Sequence, residues 1–128
     1  MATVFPNGDL AEEMLADAYE LVLSGWCQGA AACDEHGRPT EPASANARTW
    51  SAPGALARVW GRTDDPFGPA LEAFEAANLA LAAVVGGVPQ DWNDEEGRTQ
   101  WQVLDAIALA AHRVSPAPTE VASVARAG

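Results

Sequence analysis

Cys27, Cys33, His36 and His112 are the side chains in this sequence that could offer a soft or imidazole ligand to a metal, or a thiol and a base to a nucleophilic reaction. A four-coordinate zinc site would need all of them. Structural zinc draws on closely paired Cys-x-x-Cys and His-x-x-x-His units, and these four are not spaced that way. The sequence therefore predicts no metal site and no cofactor. Cys27 as a nucleophile lacks an obvious base. His36 lies in the same irregular stretch, and His112 falls at the end of a predicted helix, where the dipole favours its charged form. No nucleophile elbow, phosphate-binding loop or dinucleotide fingerprint is present. Cys27 then reads as a small apolar residue behind Trp26.

Two other features are richer in polar chemistry. Asn78 sits inside an otherwise apolar stripe, where its amide must find partners or cost about 1 to 3 kcal/mol. Trp92, Asn93, Asp94, Gly97 and Arg98 form the densest cluster. Asn93 or Asp94 can close a turn, Arg98 can reach a carboxylate or carbonyls at a helix end, and together with the indole they could orient a small polar ligand. With Cys27 and Gln28, these residues are the candidate ligand or partner contacts: Cys27, Gln28, Asn78, Trp92, Asn93, Asp94 and Arg98.

The elements that must position them follow from periodicity. Asp9, with Glu12 completing a capping box, is expected to open a helix carrying Leu10, Met14, Ala18, Leu21 and Val22 on one face and ending at Gly25. Trp26 to Trp50 is rich in Gly, Pro, Ser, Asn and Asp and predicts a long loop, of the kind that is functional or disordered. Ser51 caps a short helix with Pro53 in its first turn and Leu56, Val59 and Trp60 inward. Asp65-Pro66 signals a central helix with Phe67, Leu71, Phe74, Leu81 and Val85 in line, ending at Gly86. Val88 to Gly97 reads as a connection. Thr99 and Gln102 form a capping box for a last helix that buries Val103, Leu104, Ile107, Ala108 and Ala111 and stops before Ser115. Asp34 to Arg38 faintly echoes Asp94 to Arg98, a similarity that turn chemistry alone explains.

Four such helices predict an all-α fold, a single antiparallel bundle over residues 1–114 with a mobile tail over 115–128. Of 128 residues, 28 are alanine and 48% are apolar, which favours helix and nearly excludes an all-β fold. Alanine contributes little apolar area, so the five tryptophans and three phenylalanines are expected to supply much of the core. The net charge is −11, and the seven basic residues are all arginine with no cluster in the sequence. That argues against nucleic acid and against an anionic membrane surface, leaving a basic protein or a second copy as partner. No apolar run is long enough to cross a bilayer and no export signal opens the chain, so the expectation is a cytoplasmic protein with reduced cysteines.

Gly25-Trp26-Cys27-Gln28-Gly29-Ala30 followed by Asp34, then Trp50-Ser51 with Gly54-Ala55-Leu56, then Trp92-Asn93-Asp94 with Gly97-Arg98-Thr99, resembles an uncharacterised family of small helical proteins from high-GC Gram-positive bacteria and their phages. The resemblance covers roughly Leu10 to Val114 and implies one helical domain with no assigned activity. Cys27, Gln28, Trp92, Asn93, Asp94, Gly97 and Arg98 occupy its motif positions, whereas Cys33, His36 and His112 fall outside them. The leading expectation is a non-enzymatic domain that acts by binding. The alternatives are a small enzyme or ligand-binding protein with a pocket under the 26–50 loop and the Trp92 turn, and an acidic inhibitor or nucleic-acid mimic of phage type.

Overall fold

The computed structural model describes residues 8–115, so the expected tail lies outside the described residues from Pro116 on. The chain runs α1 (Gly8–Ser24), β1 (Ala32–Cys33), β2 (Thr49–Trp50), α2 (Ala52–Gly61), α3 (Pro69–Val85), α4 (Pro89–Asn93) and α5 (Gln100–Val114). It is mainly helical, with one small antiparallel sheet pairing Ala32 with Trp50 and Cys33 with Thr49. Among the described residues no helix is long and apolar enough to cross a membrane.

Local chemistry sets several boundaries where it was expected to. Ser51 accepts a hydrogen bond from the Gly54 amide at the start of α2, and Thr99 with Gln102 forms a complete capping box on α5. Two starts differ. Asp9 lies within the first turn of α1 rather than before it, where its charge faces the positive end of the helix. Asp65 accepts from the Phe67 amide in a turn, and α3 begins only at Pro69. Gly68 holds φ at 59° there, a backbone that side chains disfavour. Val88 to Gly97 is not merely a connection, because Pro89 opens the one-turn helix α4.

The core departs from expectation in a way that alanine explains. α1 packs against α2, α3 and α5 through Ala11, Met14, Leu15, Ala18 and Val22. α3 presents Ala70, Ala73, Ala77 and Leu81 to the interior, not the line of Phe67, Phe74 and Val85. α5 buries Ala106, Ala110 and Val114 beside Val103, Leu104 and Ile107, while Ala108 is exposed. Helices meeting through alanine lie too close for rings to fit between them. Of the described aromatics only Trp50 is buried; Trp26, Trp60, Phe74 and Trp92 pack around the edge, and Phe67 and Trp101 are exposed. Indole N–H groups find carbonyl partners in both places: the buried Trp50 donates to the Pro42 carbonyl at 3.0 Å and Trp60, at the edge, to the Pro66 carbonyl at 2.8 Å.

The loop over 26–50 is built, not loose, and arginines hold it. Arg58 donates to the carbonyls of Pro42 and Ser44, Arg62 to that of Ala43, and Arg48 to those of Ala45 and Ala47. The fold thus gathers around one stretch of loop three guanidinium groups that are scattered in the sequence. On the other side of the loop, Gly54 of α2 lies so close to residue 31 that a Cβ would stand 1.8 Å from the Ala31 carbonyl oxygen.

Gly54→Ala tests that contact against helix propensity, which favours alanine by about 1 kcal/mol. The expected outcome in urea unfolding is a net loss of about 2 kcal/mol or more, because the obstacle is backbone and cannot rotate away.

Candidate functional site

Asn93, at the end of α4, has no solvent exposure, and its amide is the centre of a polar junction between three parts of the chain. Its Oδ1 accepts from the Trp26 indole at 2.8 Å and from the Ala52 amide at the start of α2 at 3.0 Å. Its Nδ2 donates to the Cys27 carbonyl at 3.1 Å and to Asp94 Oδ1 at 3.0 Å. Two acceptor and two donor positions are all that a side-chain amide has. Gln28 adds a second tie, donating from Nε2 to the carbonyls of Asn93 and Glu95 at 2.9 and 3.0 Å.

Asp94 and Gln90 extend the junction. Asp94 Oδ1 accepts from the Gly29 amide at 2.9 Å, and Gln90 Nε2 donates to both Asp94 oxygens at 3.0 and 3.2 Å. Burial pushes the Asp94 carboxyl up, but the hydrogen bonds from Gly29, Asn93 and Gln90 outweigh it and hold the group below its ordinary range. Ser51, also fully buried, donates to Gln90 Oε1 at 3.0 Å while capping α2. Arg98 closes the edge. Its guanidinium lies 3.9 Å over the Trp92 ring, donates to the Trp92 carbonyl at 2.9 Å and pairs with Glu95 at 2.6 Å.

Six of the seven candidate residues therefore come together: Cys27, Gln28, Trp92, Asn93, Asp94 and Arg98. Asn78 does not join them. It lies mid-α3, half-buried, and donates to the Phe74 carbonyl one turn back at 3.0 Å, so the helix itself meets its need. Burial pushes the Cys27 thiol up to about 11, with Cys33 and Asp94 adding to the rise and a hydrogen bond with Thr49 opposing it. It is protonated at neutral pH and a weak nucleophile. Among the described residues no three His, Cys, Asp or Glu side chains are grouped to hold a metal ion. Asp34 and Asp94, the two ends of the sequence echo, behave differently: Asp34 accepts from His36 and Arg38 within its own turn, whereas Asp94 reaches across to Gly29.

Sequence reasoning missed three participants: Trp26 as a donor, Ser51 beyond its capping role, and Gln90. Only the spacing of Gln90 and Asp94, one helical turn apart, hinted at the last. Chemically, the junction spends its donors and acceptors on protein atoms. It fastens the 26–31 segment to α2 and α4. A second kind of surface begins at its edge. Trp92 and Arg98 line a groove of about 300 Å³ with Val84, Val85, Asp105 and Leu109. A neighbouring groove of about 350 Å³ is lined by Ala76, Leu79, Ala80, Ala83 and Arg113.

The chain belongs to a family of unknown function (DUF6197), whose model matches residues 6–113. No curated protein and no solved structure matches it.

Asn93→Ala would leave the Trp26 indole, the Ala52 amide and the Cys27 carbonyl without their partner. Urea unfolding is expected to show a loss of about 3 kcal/mol or more, against a change within about 0.5 kcal/mol for Asn78→Ala. Asp94 gives a pH signature. A carboxyl whose folded pKa lies below the unfolded value near 3.9 adds stability that is present above that value and lost as pH falls through the folded one. The urea midpoint of Asp94→Asn should therefore fall less than that of the wild type between about pH 6 and about pH 3.

Proposed function

We propose that this protein acts by binding another protein, through the apolar face shared by α3 and α5, while the polar junction around Asn93 serves to hold the fold. The observation that carries this reading is the exposure of α3. From Leu79 to Val88 the sequence has no polar side chain, yet only Leu81 of that stretch is buried. Leu79 is 73% exposed, Val88 61% and, across the seam on α5, Leu109 57%. A helix that is apolar on all sides is ordinarily enclosed by protein. Contiguous apolar surface on a soluble domain marks an interaction site.

The rest of the surface supports the same assignment by contrast. The exposed face of α1 carries Asp9, Glu13, Asp17 and Glu20, charges that keep the domain soluble and discourage burial. Acidic faces alone would favour a basic partner. The groove along Ala76, Leu79, Ala80 and Ala83, with its apolar lining, fits an amphipathic helix or another copy of the domain better. Helix directions agree with an antiparallel bundle of about four helices. Gln100 at the start of α5 bonds the Val22 carbonyl near the end of α1. Arg113 near the end of α5 lies beside the middle of α3, and Asp105 and Leu109 beside its end.

A photoreactive phenylalanine analogue at position 79 or 109, expressed in the cell that makes the protein, tests the reading. A discrete adduct with a protein chain is expected on illumination from both positions and none from position 13 on α1. Adducts at neither patch position, or a link only within the chain to its own terminal residues, would remove the proposed surface.

A further inference from the structure

We infer that the partner seated on the α3–α5 face is a second copy of this chain, docked about a twofold axis that passes beside Leu109. This rests on the binding reading above and goes further by naming the occupant. The argument is one of charge placement. Asp105 and Arg113 both line the grooves, and they stand four residues before and four after Leu109 on α5. Such spacing puts all three on one stripe of the helix. Both charged side chains are exposed, and among the described residues neither has an ion-pair partner in the chain. About a twofold at Leu109 each copy's Asp105 comes opposite the other's Arg113, so the same patch is its own complement, as an isologous interface requires.

Apolar contact supplies the driving force in this arrangement and the two ion pairs fix the register. Leu109 of each copy meets the other at the axis, with Leu79, Ala83 and Val84 at its flank. Electrostatics at longer range points the same way. A chain of net charge −11 repels its own copies on most approaches, so a self-interface needs opposite charges facing each other. Among the charged residues that line the two grooves, Arg98 is held by Glu95, and Asp105 and Arg113 remain as one negative and one positive charge. A basic partner would find a stronger attraction on α1, and so does not explain a groove with balanced charges.

Sedimentation equilibrium of the full chain, from about 1 μM to about 1 mM, covers the affinities that a modest interface gives. A monomer–dimer equilibrium is expected. Asp105→Arg and Arg113→Asp, each placing like charges opposite one another twice per dimer, should weaken it about tenfold, and the two combined should restore it. Thermal unfolding of the monomer at low concentration should be nearly unchanged in all three, since both sites are exposed. Failure of the double variant to recover affinity overturns the twofold register. A wild type that stays monomeric throughout the range overturns the second-copy inference. In that case, adducts from positions 79 and 109 to a different protein would leave the binding reading standing, and their absence would remove both.

Discussion

The structure turns on one buried amide. Asn93 has no solvent and uses every hydrogen-bonding position it has on protein atoms. Its partners belong to the segment after α1, to the first residue of α2 and to Asp94. None of these is near it in sequence except the last. A hydrophobic residue of the same size could fill the space but would strand an indole N–H, a helix-terminal amide and a carbonyl, each of which costs more unpaired than a single bond contributes when made. The 26–31 segment has no helix or paired strand of its own to satisfy its backbone, so side-chain ties help to fix it in place. This is why Gly25 to Ala30 and Trp92 to Asp94 share one constellation: each side supplies what the other leaves unsatisfied.

Alanine sets the second constraint. Interior faces built from Ala11, Ala18, Ala55, Ala73, Ala77 and Ala110 let helix backbones approach closely, and the space left between them takes Leu, Met, Ile and Val. Large rings other than Trp50 are displaced to the rim, where Trp60 stacks on Phe74 with ring centres 4.8 Å apart. The consequence reaches the surface. Because α3 turns its alanine stripe inward, Leu79 is left on the other side and Val84 is covered only in part, so an apolar helix ends up half covered.

How far the sequence disclosed this depends on how local each interaction is. Ser51 and Thr99 were legible because a cap needs only three neighbouring residues. The helical class and the ends at Ser24, Val85 and Val114 followed from periodicity and from glycine or proline beyond them. The rotation of α3 was not legible: its apolar residues occupy nearly every face, and periodicity cannot choose between an alanine stripe and a phenylalanine stripe when both are present. The contrast of Asn78 with Asn93 shows the same limit. The wheel placed Asn78 among apolar neighbours and so flagged it, although the helix supplied a carbonyl four residues back. Asn93 looked like a turn residue, because the groups that need it arrive from Trp26, Cys27 and Ala52. The ring of Arg48, Arg58 and Arg62 around the 42–47 carbonyls likewise exists only once α2 is packed beside the loop.

Structural and surface roles meet at Trp92. Its neighbour Asn93 is held by four hydrogen bonds, so α4 has one position relative to α2 and the 26–31 segment. That position carries the Trp92 ring, and the Arg98 guanidinium stacked on it, to the end of the groove beside Val84 and Leu109. A motif that spends most of its polar groups internally thus also supplies, through Trp92 and Arg98, one wall of a surface groove. Arg98 illustrates how tightly this is specified. With the Trp92 carbonyl, the Trp92 ring and Glu95 all engaged, its charge is largely consumed, which leaves Asp105 and Arg113 as the free charges beside Leu109.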